Sequence, residues 1–246
     1  MIPLRDRNPS PITPWVVYVL IAINVAVFGI EWSLTDPQLK SLFFRFGMIP
    51  AQVTRAFHGE ANILTALIIP AFTSMFLHGG VIHLLGNMWF LYIFGDNVEA
   101  KLGRVTFVLF YLFCGLLAHA TQYVLAPGSS VPTIGASGAI AGVLGAYIVC
   151  WPRARILTLL PLFYIIMVRQ LPAVIVLGFW FVIQFFQGVA SIGAEYASGG
   201  VAYGAHVGGF IAGALLIKLL PTRKVERQKP QNPAWRGGRW DNRWRR

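Results

Sequence analysis

The feature that most limits what this chain can become is a series of apolar runs, each near the ~20 residues that an α-helix needs to cross the hydrocarbon core of a bilayer. They fall at 14–34, 81–98, 105–125, 134–151, 171–192 and 201–220, with charged residues gathered mostly between them. A backbone surrounded by lipid must satisfy its own hydrogen bonds, so runs of this kind imply helices. Composition agrees, since only 12% of the 246 residues are charged, where a soluble domain has about a quarter. The sequence therefore predicts an all-α polytopic membrane protein. Residues 14–220 would form one six-transmembrane-helix bundle, with a short segment, 1–13, before it and a basic tail, 221–246, after it.

Two further stretches are apolar without fitting that count. Residues 61–77 contain Pro70, Thr73 and Ser74 and run into Gly79-Gly80, so the region 35–80 is expected to be a long membrane-associated first loop. Residues 156–168 are interrupted by Pro161, bounded by Arg155 and Arg169, and too short to cross. They are expected to be re-entrant or interfacial. With both termini on one side, seventeen of the twenty Lys and Arg fall on that side, and only Lys40, Arg45 and Arg55 on the other. By the positive-inside rule that side is cytoplasmic. A short chain with no organelle presequence then points to a bacterial plasma membrane.

Nine of those seventeen charges lie in 223–246, so the net charge of +11 belongs to the tail and does not signal a nucleic-acid-binding domain. Trp235, Trp240 and Trp244 alternate with arginines there. Tethered to a bilayer, such a tail is better placed to meet anionic headgroups than RNA. Cys114 and Cys150, both inside apolar runs, suit packing rather than a disulfide or a metal pair.

Spans two, four and six all start at the face opposite the termini. His83, Ser137 and His206 each lie in the first few residues of one of them, within roughly 10 Å of that face at 1.5 Å per residue. Asn87 follows His83 by one turn on the same helix face. Gly135, Gly138, Gly142 and Gly145 in the fourth span, with Gly204, Gly209 and Gly213 in the sixth, would let these helices approach closely. Glycines alone mean only packing, but a polar residue inside a span calls for a partner and is a functional candidate. A serine hydroxyl becomes a nucleophile when a base takes its proton, and His206 is the candidate base for Ser137. Neither span contains a carboxylate; Glu195, in the loop before the sixth, is the nearest. What emerges is a Ser–His dyad, with the backbone N–H at Ser137, the Asn87 amide and the His83 ring as oxyanion donors.

At these residues the chain resembles the rhomboid family of intramembrane serine proteases. Gly135-Ala136-Ser137-Gly138 is similar to the family's nucleophile motif, and Ala205-His206 followed by Gly209 and Gly213 is similar to its histidine motif. His83 with Asn87 matches the pair that helps form the family's oxyanion hole. The resemblance runs from Met1-Ile2-Pro3-Leu4-Arg5-Asp6 to Leu220. It implies cleavage of single-span membrane-protein substrates near the outer face, with no metal or organic cofactor. It also implies substrate entry between spans two and five; in this sequence Gly86, Trp180 and Phe181 are expected at that gate, and Trp89 and Phe90 are expected to face lipid. Two positions depart from the pattern. An aromatic that stacks on the histidine in some members is Ala141 here, so His206 must be oriented by another group. A Trp-Arg pair in some members' first loop is replaced by Ile69-Pro70.

Other histidines read more plainly. His78 and His83 are five apart, but His-Glu-x-x-His is absent and carboxylates are lacking nearby, which argues against a metal. His78 is expected to satisfy loop backbone near the cavity, His119 to pack against a polar neighbour, and His58 to be exposed. Glu99 and Lys101 read as ordinary interface charges. The competing class of function is a non-catalytic rhomboid-like protein that binds membrane helices, which loss of the serine or the histidine would have favoured.

Overall fold

In a computed structural model, the described residues are 1–8, 10–162, 165–191 and 202–223; Glu195 and the tail from 224 onward lie outside them. The order of elements is β1 (Ile2–Asp6), α1 (Trp15–Trp32), α2 (Asp36–Phe46), α3 (Pro50–Phe57), α4 (Ile69–Thr73), α5 (Val81–Leu102), α6 (Arg104–Leu125), α7 (Ser137–Cys150), β2 (Arg155–Leu162), β3 (Ile165–Pro172), α8 (Ala173–Ser191) and α9 (Tyr203–Leu219). Six helices, α1 and α5 to α9, sit on the six long apolar runs. Among the described residues, α1, α6 and α8 are each long and apolar enough to cross a membrane, and Leu64–Phe76 with α5, bent by 81°, makes a fourth candidate. The other two, α7 and α9, have 14 and 17 residues and are packed among other helices.

The centre of the bundle is α7, buried without interruption from Gly138 to Tyr147. It owes this to missing side chains. A Cβ on Gly209 would collide with the Gly138 carbonyl, one on Gly213 with the Gly142 carbonyl, and one on Gly145 with the Phe210 carbonyl. Backbone thus meets backbone between α7 and α9. Large residues close the other sides, with Phe94, Phe107, Phe110, Tyr111 and Tyr147 all buried in one apolar core.

The first loop is a chain of short helices. Gln38 Oε1 accepts from the Thr35 N–H at 3.0 Å to open α2, and Pro37 pre-sets its first turn. The loop is pinned to the segment preceding α7: Met48 and Thr133 exchange backbone hydrogen bonds of 3.1 and 2.8 Å, and the Gly135 N–H donates to the Ser74 carbonyl at 2.8 Å.

Three expectations are corrected by the structure. The molecule is not purely α, because the described part of the segment 156–168 is β-structure. It lies in an antiparallel hairpin of β2 and β3, and β1 pairs antiparallel with β2, Ile2 opposite Leu159 and Asp6 opposite Ile156. Short apolar runs do not declare their period, and here a partner strand from the start of the chain decides for β. Trp89, in turn, does not simply face lipid: its indole N–H donates to the Pro3 carbonyl at 2.7 Å. At the other end of β1 the Asp6 carboxylate accepts from Tyr147 Oη at 2.6 Å and from Asn97 Nδ2 at 2.9 Å. β1 therefore lies along the flank of α5 from Asn97 to Trp89. Burial raises the Asp6 carboxyl from its ordinary 3.8 to about 6, against the lowering effect of its Tyr147 and Asn8 hydrogen bonds.

Glu99 is likewise no interface charge. It is fully buried, and its carboxylate accepts from the Val16 and Val17 N–H groups at 3.2 and 3.0 Å. Pro14 gives α1 no side-chain cap, so Glu99 supplies the acceptor and the negative charge that a helix N-terminus favours.

Candidate active site

Ser137 is the first residue of α7, reached through Gly135 at φ +118°, a conformation that residues with a Cβ rarely adopt. A Cβ at Gly135 would also lie 2.7 Å from His83 Nε2, so this glycine lets the loop pass close against the His83 ring. His206 lies in the first turn of α9, and its Nε2 is 2.7 Å from Ser137 Oγ. Both line a cavity of about 690 Å³ whose wall also includes His83, Asn87, Met75, His119 and Gln122, with Phe43, Phe44 and Lys40 contributed by α2.

Asn87 and His78 settle each other's orientation. The Asn87 amide nitrogen donates to His78 Nε2 at 3.0 Å, and the His78 Nδ1–H donates to the Phe76 carbonyl at 3.3 Å. His78 is thereby held as the neutral Nδ1–H tautomer. Its backbone N–H is taken by the buried Glu31 carboxylate at 3.1 and 3.3 Å. On the adjacent turn, His83 Nδ1 accepts from the Gly79 N–H at 3.4 Å, which leaves its Nε2 to donate beside Gly135. The Ser137 N–H opens α7, where backbone donors have no intrahelical acceptor. Ser137, Asn87 and His83 thus all line one cavity.

Of the remaining histidines, His119 is buried with Nε2 2.9 Å from Ser74 Oγ, and His58 is exposed at the end of α3. The residues expected at a gate separate. Gly86 is exposed and a Cβ there would meet nothing within 4 Å. Phe181 packs on Phe210, with ring centroids 4.6 Å apart, and Trp180 stacks on His206 at 6.0 Å while its other ring contacts include Phe90 of α5 at 6.5 Å.

Sequence reasoning overlooked what holds His206. Besides Trp180 stacked on one face and Tyr203 set edge-on at 6.3 Å, Gln184 Oε1 lies 2.5 Å from His206 Nδ1. A signal existed: Gln184 and Gln187 are the two amide side chains within the largely apolar α8, and a polar residue in such a helix needs a partner. Glu31, inside α1, carried the same signal.

A helical membrane protein with a serine and a histidine hydrogen-bonded in one cavity is the class of molecule that these elements define. Comparison with known proteins supplies the family. The rhomboid domain model matches residues 66–223. The chain is 31% identical over 230 residues to the mitochondrial rhomboid protein 1 of Saccharomyces cerevisiae, covering 91% of this chain and 58% of that one. It is 32% identical over 160 residues to the human mitochondrial presenilin-associated rhomboid-like protein, 63% of this chain and 38% of that one. Rhomboid-like protein 11, chloroplastic, of Arabidopsis thaliana is 32% identical over 152 residues, 60% of this chain and 51% of that one. The chain belongs to the rhomboid family. It spans less than two thirds of the length of each of these relatives.

The expectation of a bacterial plasma membrane is overturned by the same relatives, which are mitochondrial or chloroplastic and point to an organellar membrane. Chain length and the opening residues carry no information on compartment when the match covers only part of each relative.

Proposed function

We propose that this chain is an intramembrane serine endopeptidase that hydrolyses peptide bonds in or near transmembrane helices of membrane-protein substrates. The observation that carries the proposal is the 2.7 Å contact between Ser137 Oγ and His206 Nε2 inside the cavity. Family membership supports it, since rhomboids are generally intramembrane serine proteases.

In this mechanism Ser137 Oγ attacks the substrate carbonyl carbon as its proton passes to His206 Nε2. The carbonyl oxygen becomes an oxyanion, and the Ser137 N–H, Asn87 Nδ2 and His83 Nε2–H stabilise it. Collapse of the tetrahedral intermediate breaks the C–N bond, and His206 returns the proton to the departing amine. Water then attacks the acyl-serine, again through His206, and releases the carboxylate product with Ser137 restored. No step calls for a metal or an organic cofactor. Substrate would enter between α5 and α8, near Gly86, Trp180 and Phe181.

The test is cleavage of a single-span reporter in proteoliposomes by the wild type, Ser137→Ala and His206→Ala. Both variants should stay folded and lose activity by at least about three orders of magnitude. Persistent cleavage in either removes that residue from the mechanism.

A further inference from the structure

His206 can serve as a base only in one of its two neutral forms. Nε2 must offer a lone pair to the Ser137 hydroxyl, so the ring proton must sit on Nδ1. Gln184 faces Nδ1 with its amide oxygen at 2.5 Å, and an amide oxygen accepts but cannot donate. The amide itself has a reason to point this way, because its nitrogen donates to Gln187 Oε1 at 3.4 Å on the far side. Turned over, the amide would present an N–H to Nδ1, drive the ring proton to Nε2 and set His206 to donate towards Ser137. Trp180, four residues before Gln184 and so on the same face of α8, stacks on the ring at an interplanar angle of 30°. One helix therefore supplies both the plane against which the ring lies and the acceptor that selects its proton.

We propose that Gln184 is the positioning residue of this site, fixing the tautomer and orientation of His206 in place of the aromatic that Ala141 lacks. The assignment rests on the Ser137–His206 mechanism above. When His206 takes the serine proton, the imidazolium keeps its Nδ1–H on Gln184 Oε1 and delivers the Nε2 proton to the leaving amine. Gln184 exchanges no proton and touches no substrate. Its effect should therefore fall on turnover and not on substrate binding.

The experiment measures kcat and KM across pH for the full chain in proteoliposomes with a single-span reporter. Gln184→Met keeps the length of the side chain and removes the acceptor; its kcat should fall about 10- to 100-fold with KM nearly constant. Gln184→Glu keeps an acceptor oxygen and should hold most of the wild-type kcat near neutral pH. The acid limb of its kcat profile should move to higher pH, because an ionised carboxylate at Nδ1 favours the imidazolium. Wild-type kcat in Gln184→Met, or a loss confined to KM, overturns the assignment. So does a Gln184→Glu variant at least about 10-fold slower than wild type with an unmoved profile, and that arm decides should Gln184→Met fail to fold. Ser137→Ala, run alongside, separates the two levels. If it still cleaves, the dyad mechanism itself fails; if it is inactive while Gln184→Met turns over normally, only the role of Gln184 fails.

Discussion

Two helices flank His206 in different ways. On one side α7 meets α9 backbone to backbone, with no room for a single methyl group at Gly209 or Gly213. On the other, α8 turns Phe179, Val182, Ile183, Phe185 and Phe186 outward and reaches the site through Trp180 and Gln184. The nucleophile and the base sit on the close-packed pair, while Trp180 and Gln184, which steady the base, sit on the helix with fewer ties. A site divided like this would keep its reacting atoms in register if α8 were displaced. If substrate enters beside α8, the displacement that admits it also disturbs the Gln184 contact, and chemistry waits until the helix settles back.

That contrast can be broken most severely at the rigid seam. Gly209→Val forces a branched side chain into the Gly138 carbonyl and should destabilise the protein by at least about 3 kcal/mol, the upper range for overpacking; thermal unfolding in detergent reads it, and a near-wild-type midpoint would show that α7 and α9 can separate. Next comes Gly86→Phe on the α5 side, where open space leaves the fold intact but a ring would stand in the proposed entry path. Cleavage of a transmembrane reporter should slow severalfold while a short soluble peptide is cut as before. Equal turnover of the transmembrane reporter moves the entry path elsewhere.

A smaller effect concerns β1. The Asp6 carboxyl has a folded value near 6 against 3.8, so the docked strand holds its proton more tightly than the released one. Docking should strengthen as pH falls from about 6 towards 4 and be flat above about 7. Asp96, Asn97, Tyr147 and the backbone of Arg7 and Asn8 surround the group. Hydrogen exchange of residues 2–6 should show more protection at pH 5 than at pH 7.5, and Asp6→Asn should erase the difference. The smallest change is expected at Gly178→Ala in α8, where a Cβ meets nothing within 4 Å. Its stability should stay within about 1 kcal/mol of wild type, on the favourable side if helix propensity governs.

Much of the bundle was legible because a helix in lipid announces itself by length and apolarity. The six helices begin and end within a few residues of the apolar runs, and the break at Gly79-Gly80 appears as the sharp bend before α5. Ser137, His206, His83 and Asn87 could be named together because alternating span direction assigns a depth to each. What could not be read depended on partners distant in sequence. The run 156–168 is apolar enough for several conformations, and only β1 decides among them. Glu99 looks like a boundary charge until the uncapped start of α1 is found against it. Gln184 is one amide in a greasy helix, and nothing local tells that its oxygen meets His206.

The sheet carries a consequence for the order in which the molecule is assembled. Ile2 pairs with Leu159, more than half the chain later, so β1 has no partner until the seven helices α1 to α7 have been synthesised. Closing so long a loop is entropically slow, and contacts of this separation form late. β1 is thus a latch that engages after α1 to α7 have been made, joining α5 through Trp89 and α7 through Tyr147. Protection of its amides therefore reports that α5 and α7 have already come together.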